Sequence, residues 1–269
     1  AGSDAGATRT TARLDGDEWV IDGAKQFITN SGSAITSLVN ITARTGTREN
    51  GKPEISTLMV PAGTPGFTAE KAYDKLGWHA SDTHPLTFED VRVPEANLLG
   101  QRGRGYAQFL ATLDDGRVAI AALAVGAIQA CVDHCVAYAG ERQTFGGPIG
   151  RKQGVAFQIA DLEVMLHASR LLTYRAAAMK DAMDRAARGE GTAPSMKEFK
   201  QAASVAKLYT TESAVTATRI ATQVFGGYGF MEEYPVARLY RDAKVLEIGE
   251  GTSEVQRMLI ARGLGLPVE

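Results

Sequence analysis

The chain has 269 residues, of which 44% are hydrophobic and 22% charged, with a formal net charge of −2. That length exceeds one ordinary domain and can bury a sizeable core, while the near-neutral balance gives no basic field to attract nucleic acid. The most apolar run, Val118 to Ala130, contains Gln129 and reads as too short to span a bilayer.

In chain order, Ala1-Gly2-Ser3-Asp4-Ala5-Gly6 is turn-forming, with no strand or helix ahead of it. The chain is therefore expected to start inside a loop, as a truncated or proteolysed segment would. Short alternating segments follow at Trp19–Ile21, Lys25–Thr29, Ser37–Ile41, Ser56–Val60 and Leu86–Val93. Asp15-Gly16-Asp17, Asp22-Gly23, Glu49-Asn50-Gly51 and Pro65-Gly66 read as the turns between them. Strands so connected, with no helices between, predict an antiparallel sheet or barrel.

After Asn97-Leu98-Leu99-Gly100 the pattern changes to helical periodicity. Long helices are predicted over Tyr106–Ala139, Gln153–Ala187 and Ser195–Val224, and shorter ones near Pro235–Ile248 and Thr252–Leu264. The stops are Gly/Pro-rich: Gly189-Glu190-Gly191-Thr192-Ala193-Pro194 after the second helix, Gly226-Gly227-Tyr228-Gly229 after the third. The expected fold class is α+β, an antiparallel β domain over residues 1–102 followed by an antiparallel helical bundle over residues 103–269. Cys131 and Cys135 fall one turn apart on the first helix and read as buried thiols in a reducing compartment.

The segment richest in chemistry is Arg241 to Arg257, in which Gly249-Glu250-Gly251-Thr252 joins two helices. Glycines on both sides let the backbone take unusual angles and approach a ligand closely. A carboxylate held in such an elbow in apolar surroundings has its pKa raised by desolvation, which suits a general base for a weakly acidic C–H. The same four letters recur as Gly189-Glu190-Gly191-Thr192 in a linker, so the tetrapeptide alone is equally a solvated turn and the flanks decide.

Those flanks are similar to the C-terminal signature of the acyl-CoA dehydrogenases, and further segments match in order. Gly2-Ser3-Asp4 resembles the end of that family's substrate-side loop, and Lys25-Gln26-Phe27-Ile28-Thr29-Asn30 its flavin-facing strand. Glu141-Arg142-Gln143-Thr144-Phe145-Gly146 and Gln223 to Phe230 resemble two segments that reach a neighbouring subunit's FAD. Leu76 to Thr83, running on to Pro94 and Gly100, also matches.

The resemblance implies Glu250 as the catalytic base. It implies FAD as cofactor, with Thr29 near flavin N5, Phe27 against the ring and Thr252 at the pyrophosphate. Arg142, Phe145, Gln223, Gly226 and Gly227 would hold the pyrophosphate and adenosine across a subunit interface, so a homo-oligomer, a tetramer above all, is expected. On the substrate side, Ser3 and Gly251 would lie near the thioester, and Asp114 and Arg117 toward the CoA portion, although Asp114-Asp115-Gly116-Arg117 reads equally as a solvated helical turn.

Two departures matter. One branch of the family carries its base just before the arginine of the first helix, where this chain has Gly116; the base is then Glu250. Gly249 stands where many relatives have a bulky aromatic, which would widen the acyl pocket. The implied reaction is α,β-dehydrogenation of a saturated acyl-CoA to a trans-2-enoyl-CoA, with electrons passed to an electron-transfer flavoprotein. An acyl-CoA oxidase using oxygen and a non-catalytic helical assembly module remain open. No metal is expected: a di-iron bundle needs Glu-x-x-His pairs, and none of His79, His84, His134 or His167 has a Glu three residues before it. The alanine-rich composition fits a bacterial cytoplasmic protein, or a mitochondrial matrix one.

Overall fold

The computed structural model describes residues 2–268 and divides into two compact units, Ala1–Thr112 and Leu113–Glu269. The first unit is a six-stranded sheet of β1 (Thr11–Asp15), β2 (Glu18–Thr29), β3 (Leu38–Thr47), β4 (Pro53–Pro61), β5 (Phe67–Ala69) and β6 (Thr83–Pro94), in the order β4-β3-β1-β2-β6-β5. All neighbours are antiparallel except β1 and β3, which pair in parallel through Thr11 and Arg44. Trp19, Ile21, Ile41, Leu58, Leu86 and Phe88 pack the buried face.

One expected turn is instead part of a strand. Asp22-Gly23 lies inside β2, where the register against β6 shifts between Ile21 and Gly23. Gly23 has φ 138°, and a Cβ there would sit 2.8 Å from Thr10 Cα. Only glycine fits this bulge. A second shift follows between Lys25 and Ile28 and leaves Phe27 at φ 60°. β1 and β5, five and three residues long, are too short to be read from sequence; β1 forms because Gly16-Asp17 folds it back onto β2, with Asp15 opposite Glu18.

The second unit contains the rest of α1 (Gly105–Glu141), followed by β7 (Gln143–Thr144), β8 (Gly147–Pro148), α2 (Gln153–Ala187), α3 (Met196–Phe225), α4 (Pro235–Ala243) and α5 (Ser253–Gly263). Ala121, Ala176, Ala202 and Ala206 meet at the centre, where small side chains let the helices approach closely. α3 starts on a capping box: Glu198 N–H donates to Ser195 Oγ at 3.2 Å, and Ser195 N–H to Glu198 Oε2 at 2.8 Å. Along α3 the buried Thr210 and Thr211 hydroxyls donate to the carbonyls of Ala206 and Lys207, so they cost little in an apolar setting.

α1 extends well beyond the apolar run Val118–Ala130. Continuous over 37 residues with a window of mean hydropathy 1.7, it is by length and composition long and apolar enough to cross a membrane. The same apolarity serves packing, since Ala121, Ala124, Ile128, Cys131 and Cys135 are fully buried. Burial pushes both thiols up to about 12, which leaves them unreactive.

Candidate active site

Glu250 stands at the junction of α4 and α5. A 3₁₀ turn, Lys244–Glu247, ends the first helix, and Thr252 caps the second, its Oγ1 accepting from Val255 N–H at 3.4 Å. Between them Glu250 has φ 54° and Gly251 φ 85°, two left-handed residues in succession. For a glutamate this costs about 1–2 kcal/mol. The Glu250 and Gly251 carbonyls are taken up by Gln256 Nε2 (3.2 and 3.0 Å), and Gly251 also by Lys207 Nζ (2.8 Å). The sequence reading did not assign either donor. Lys207 was detectable as the one charge on a face of α3 otherwise made of Ala203, Ala206, Thr210 and Ala214.

The Glu250 carboxylate is partly buried, and its Oε2 is enclosed without a hydrogen-bond partner among the described residues. Burial raises its pKa above the ordinary carboxylate value, opposed first by Arg117 and then by Lys207. Gly116 supplies the space: a Cβ there would lie 2.5 Å from Glu250 Oε2 and 3.0 Å from Cδ. A side chain at position 116 and the carboxylate of Glu250 therefore compete for one volume. Asp114 and Arg117 are not a solvated turn. Arg117 Nη1 donates to Asp114 Oδ1 at 2.7 Å, Lys200 reaches Asp114 Oδ2 at 3.1 Å, and both members of the pair are buried.

The linker copy of the tetrapeptide shares the left-handed glycine, Gly191 at φ 83°, but differs at its glutamate. Glu190 is exposed, with Arg188 3.8 Å away, and its own φ is not positive. Glu247 is paired with Lys244 and lines a separate small cavity of about 180 Å³ with Thr252 and Ser253.

A second cluster sits at the other end of α3. Phe145 and Gly146, with φ 51° and 79°, make the two-residue turn between β7 and β8. That turn favours Asn-Gly, yet it holds here a phenylalanine that is 92% exposed. Beside it, Tyr138, Arg142, Phe225, Gly226, Gly227 and Tyr228 line a cavity of about 530 Å³. Tyr138 and Phe225 stack at 4.0 Å, and the Arg142 guanidinium lies 5.6 Å from the Tyr228 ring centre. Gln223 and Gly226 line an adjoining cavity of about 600 Å³ with Phe230 and Arg241. Aromatic walls, an arginine and a glycine cradle suit an adenine and a pyrophosphate.

In the first unit, Phe27 is 72% exposed on its bulge, its ring 5.2 Å from Tyr73, and Thr29 is exposed at the end of β2. Ser3 is exposed ahead of the short 3₁₀ turn Ala5–Ala7. Lys25, also unassigned from sequence, anchors this strand by donating to Thr8 Oγ1 (3.0 Å) and the Thr42 carbonyl (2.5 Å), and burial pushes it down to about 8. Six described non-glycine residues have positive φ, and Phe27, Phe145 and Glu250 are three of them. Strain of this kind concentrates at functional positions.

The family model for the acyl-CoA dehydrogenase middle domain matches residues 1–91, and that for the C-terminal domain matches residues 103–265. The chain is 48% identical over 264 residues to the probable acyl-CoA dehydrogenase YngJ of Bacillus subtilis, covering 98% of this chain and 66% of that protein. It is 44% identical over 260 residues to the short-chain specific mitochondrial acyl-CoA dehydrogenase of Rattus norvegicus, covering 97% and 59%. Among solved structures, butyryl-CoA dehydrogenase from Megasphaera elsdenii superposes with a TM-score of 0.87 at 39% identity, over 98% of this chain and 65% of that one. A chain of the structure described as the electron transferring flavoprotein of Acidaminococcus fermentans does so with the same TM-score at 38% identity, over 98% and 65%. The chain thus spans between 59% and 66% of the length of these relatives, and it belongs to the acyl-CoA dehydrogenase family.

Proposed function

We propose that this chain carries the base and the cofactor-binding residues of an FAD-dependent acyl-CoA dehydrogenase, with residues 1–102 as its middle domain and 103–269 as its C-terminal domain. The reading rests above all on the Glu250 elbow, an enclosed carboxylate of raised proton affinity held in a left-handed turn. When bound, FAD supplies the hydride acceptor for the substrate's Cβ. Glu250 takes the proton from Cα. Arg142, Phe145, Gln223, Gly226 and Gly227 bind the adenosine and pyrophosphate, Thr252 adds a hydroxyl, and Phe27 and Thr29 orient the ring. Ser3 and Gly251 face the thioester, and the Asp114–Arg117 pair serves the CoA end while Arg117 favours the ionised base. An electron-transfer flavoprotein is the proposed acceptor. The test is anaerobic mixing of the flavin-loaded protein with a panel of saturated acyl-CoAs. Bleaching of the flavin band with enoyl-CoA as product supports the reading; an unchanged spectrum across the panel removes it. Reoxidation faster by air than by an electron-transfer flavoprotein would assign an oxidase instead.

The acyl length accepted turns on Gly249. A Cβ there would meet only the Val245 carbonyl at 3.5 Å, so within this unit a side chain would fit. Gly249→Tyr is expected to leave the fold intact and restrict the panel, with long or branched acyl-CoAs losing more kcat/KM than butyryl-CoA. Equal losses across the panel would show that this glycine does not shape the pocket.

The subunits are proposed to form a homotetramer. α2 exposes Phe157, Val164 and Leu171 at seven-residue intervals, with Tyr174 beside them, each more than 60% accessible. Such a stripe on a long helix matches the seam of a helix–helix interface. Light scattering is expected to give four times the chain mass, and Val164→Glu with Leu171→Glu to give smaller species.

A further inference from the structure

Two buried side chains outside the elbow hold it in place. Lys207 on α3 and Gln256 on α5 have no exposed surface, and among the described residues they supply three side-chain hydrogen bonds to the Glu250 and Gly251 carbonyls. Gly251 leaves the room that the Gln256 amide needs, since a Cβ there would lie 2.8 Å from its Nε2. Lysine is almost never fully buried unless paired. Lys207 makes no ion pair among the described residues; its close partner is a neutral carbonyl. Its charge therefore acts on the groups facing it: Glu247 and Glu250 from the α4–α5 segment, Arg117 from α1 and Glu212 from its own helix.

Given that Glu250 is the base, we propose that Lys207 and Gln256 are positioning residues: together they clamp the elbow, and the Lys207 ammonium also favours the ionised carboxylate. Gln256 is neutral and sets geometry alone. Burial pushes Lys207 down to about 8, so it keeps its charge at neutral pH and loses it in mild alkali.

Infrared difference spectroscopy against Glu250→Gln reads the Glu250 titration directly, with or without flavin. Lys207→Met, similar in length and apolar, is expected to raise the midpoint, as loss of a nearby opposite charge does. Gln256→Met is expected to leave the midpoint unmoved but slow flavin reduction about tenfold with acyl-CoA half-saturation unchanged, because the carboxylate is misplaced. Should Lys207→Met fail to fold, reciprocity supplies the test: Glu250→Gln must lower the Lys207 ammonium titration, followed by ¹⁵N NMR, by a similar amount. An unmoved Glu250 midpoint in Lys207→Met, or an unmoved Lys207 in Glu250→Gln, overturns the electrostatic role. A Gln256→Met protein with undiminished reduction overturns the clamp. The Lys207–Glu250 coupling is read without turnover and persists even if no acyl-CoA reduces the flavin, so failure of the functional reading is separable from failure of the inference.

Discussion

Glu250→Gln is expected to keep the fold, the flavin and acyl-CoA binding and to lose flavin reduction by at least the roughly 10²–10⁴-fold typical of removing a general base. The loss should exceed that range, because hydride departure from Cβ has no counterpart when no group takes the Cα proton. Structure supports a clean variant. Glu250 Oε2 has no hydrogen-bond partner to lose, Arg117 keeps Asp114, and Lys207 keeps the Gly251 carbonyl. Stability should move the other way. The folded pKa of Glu250 is raised, so its ionisation disfavours the native state as pH climbs from the unfolded value of about 4.5 through the folded one. At neutral pH the glutamine protein should melt at or above the wild type, and below that window the difference should vanish. Glu190→Gln, in the linker copy, is the silent control, and Glu247→Gln tests the carboxylate paired with Lys244. Rapid anaerobic bleaching by Glu250→Gln, or bleaching lost only in Glu247→Gln, would sink the assignment.

The elements legible in the sequence were those with a long local signal. The three long helices carry uninterrupted periodicity and Gly/Pro stops, and they fall within about two residues of the predicted bounds. β2 was legible only in pieces, because Asp-Gly is the strongest short-range turn signal and nothing local reports that β6 pairs on both sides of it. β1 and β5 depend on their partners in the same way.

The site divides along the same line. Residues inside compact motifs, such as Glu250 and Thr252, were readable as a unit. Lys207 was not: it lies 44 positions before Gly251, whose carbonyl it reaches through the packing of α3 against the α4–α5 segment. Asp114 and Arg117 were ambiguous because the letters of a solvated turn and of a buried ion pair are identical; only burial separates them. Positive φ at Phe27, Phe145 and Glu250 is likewise invisible in a sequence, and for the two phenylalanines it runs against local preference.

Gly116→Ala is expected to separate stability from catalysis. In the interior of a helix, alanine is favoured over glycine by about 1 kcal/mol, and α1 is regular around this position. On helix propensity alone the variant should be more stable. The added Cβ, however, would stand 2.5 Å from Glu250 Oε2, closer than any real contact. The obstructing atom is the end of a side chain rather than backbone, so the carboxylate can swing aside at small cost to the fold. A shift of about 1 Å at the reacting group is enough to cost roughly 10²-fold in rate. The expected result is an unchanged or higher Tm, normal flavin content, and flavin reduction slowed by about two orders of magnitude. Gly126→Ala is the matched control. It lies on the same helix, and an added Cβ there meets nothing within 4 Å, so it should stabilise without slowing reduction. If Gly116→Ala reduces its flavin at the wild-type rate, the carboxylate does not work from the position it occupies over Gly116, and the base must act from another rotamer.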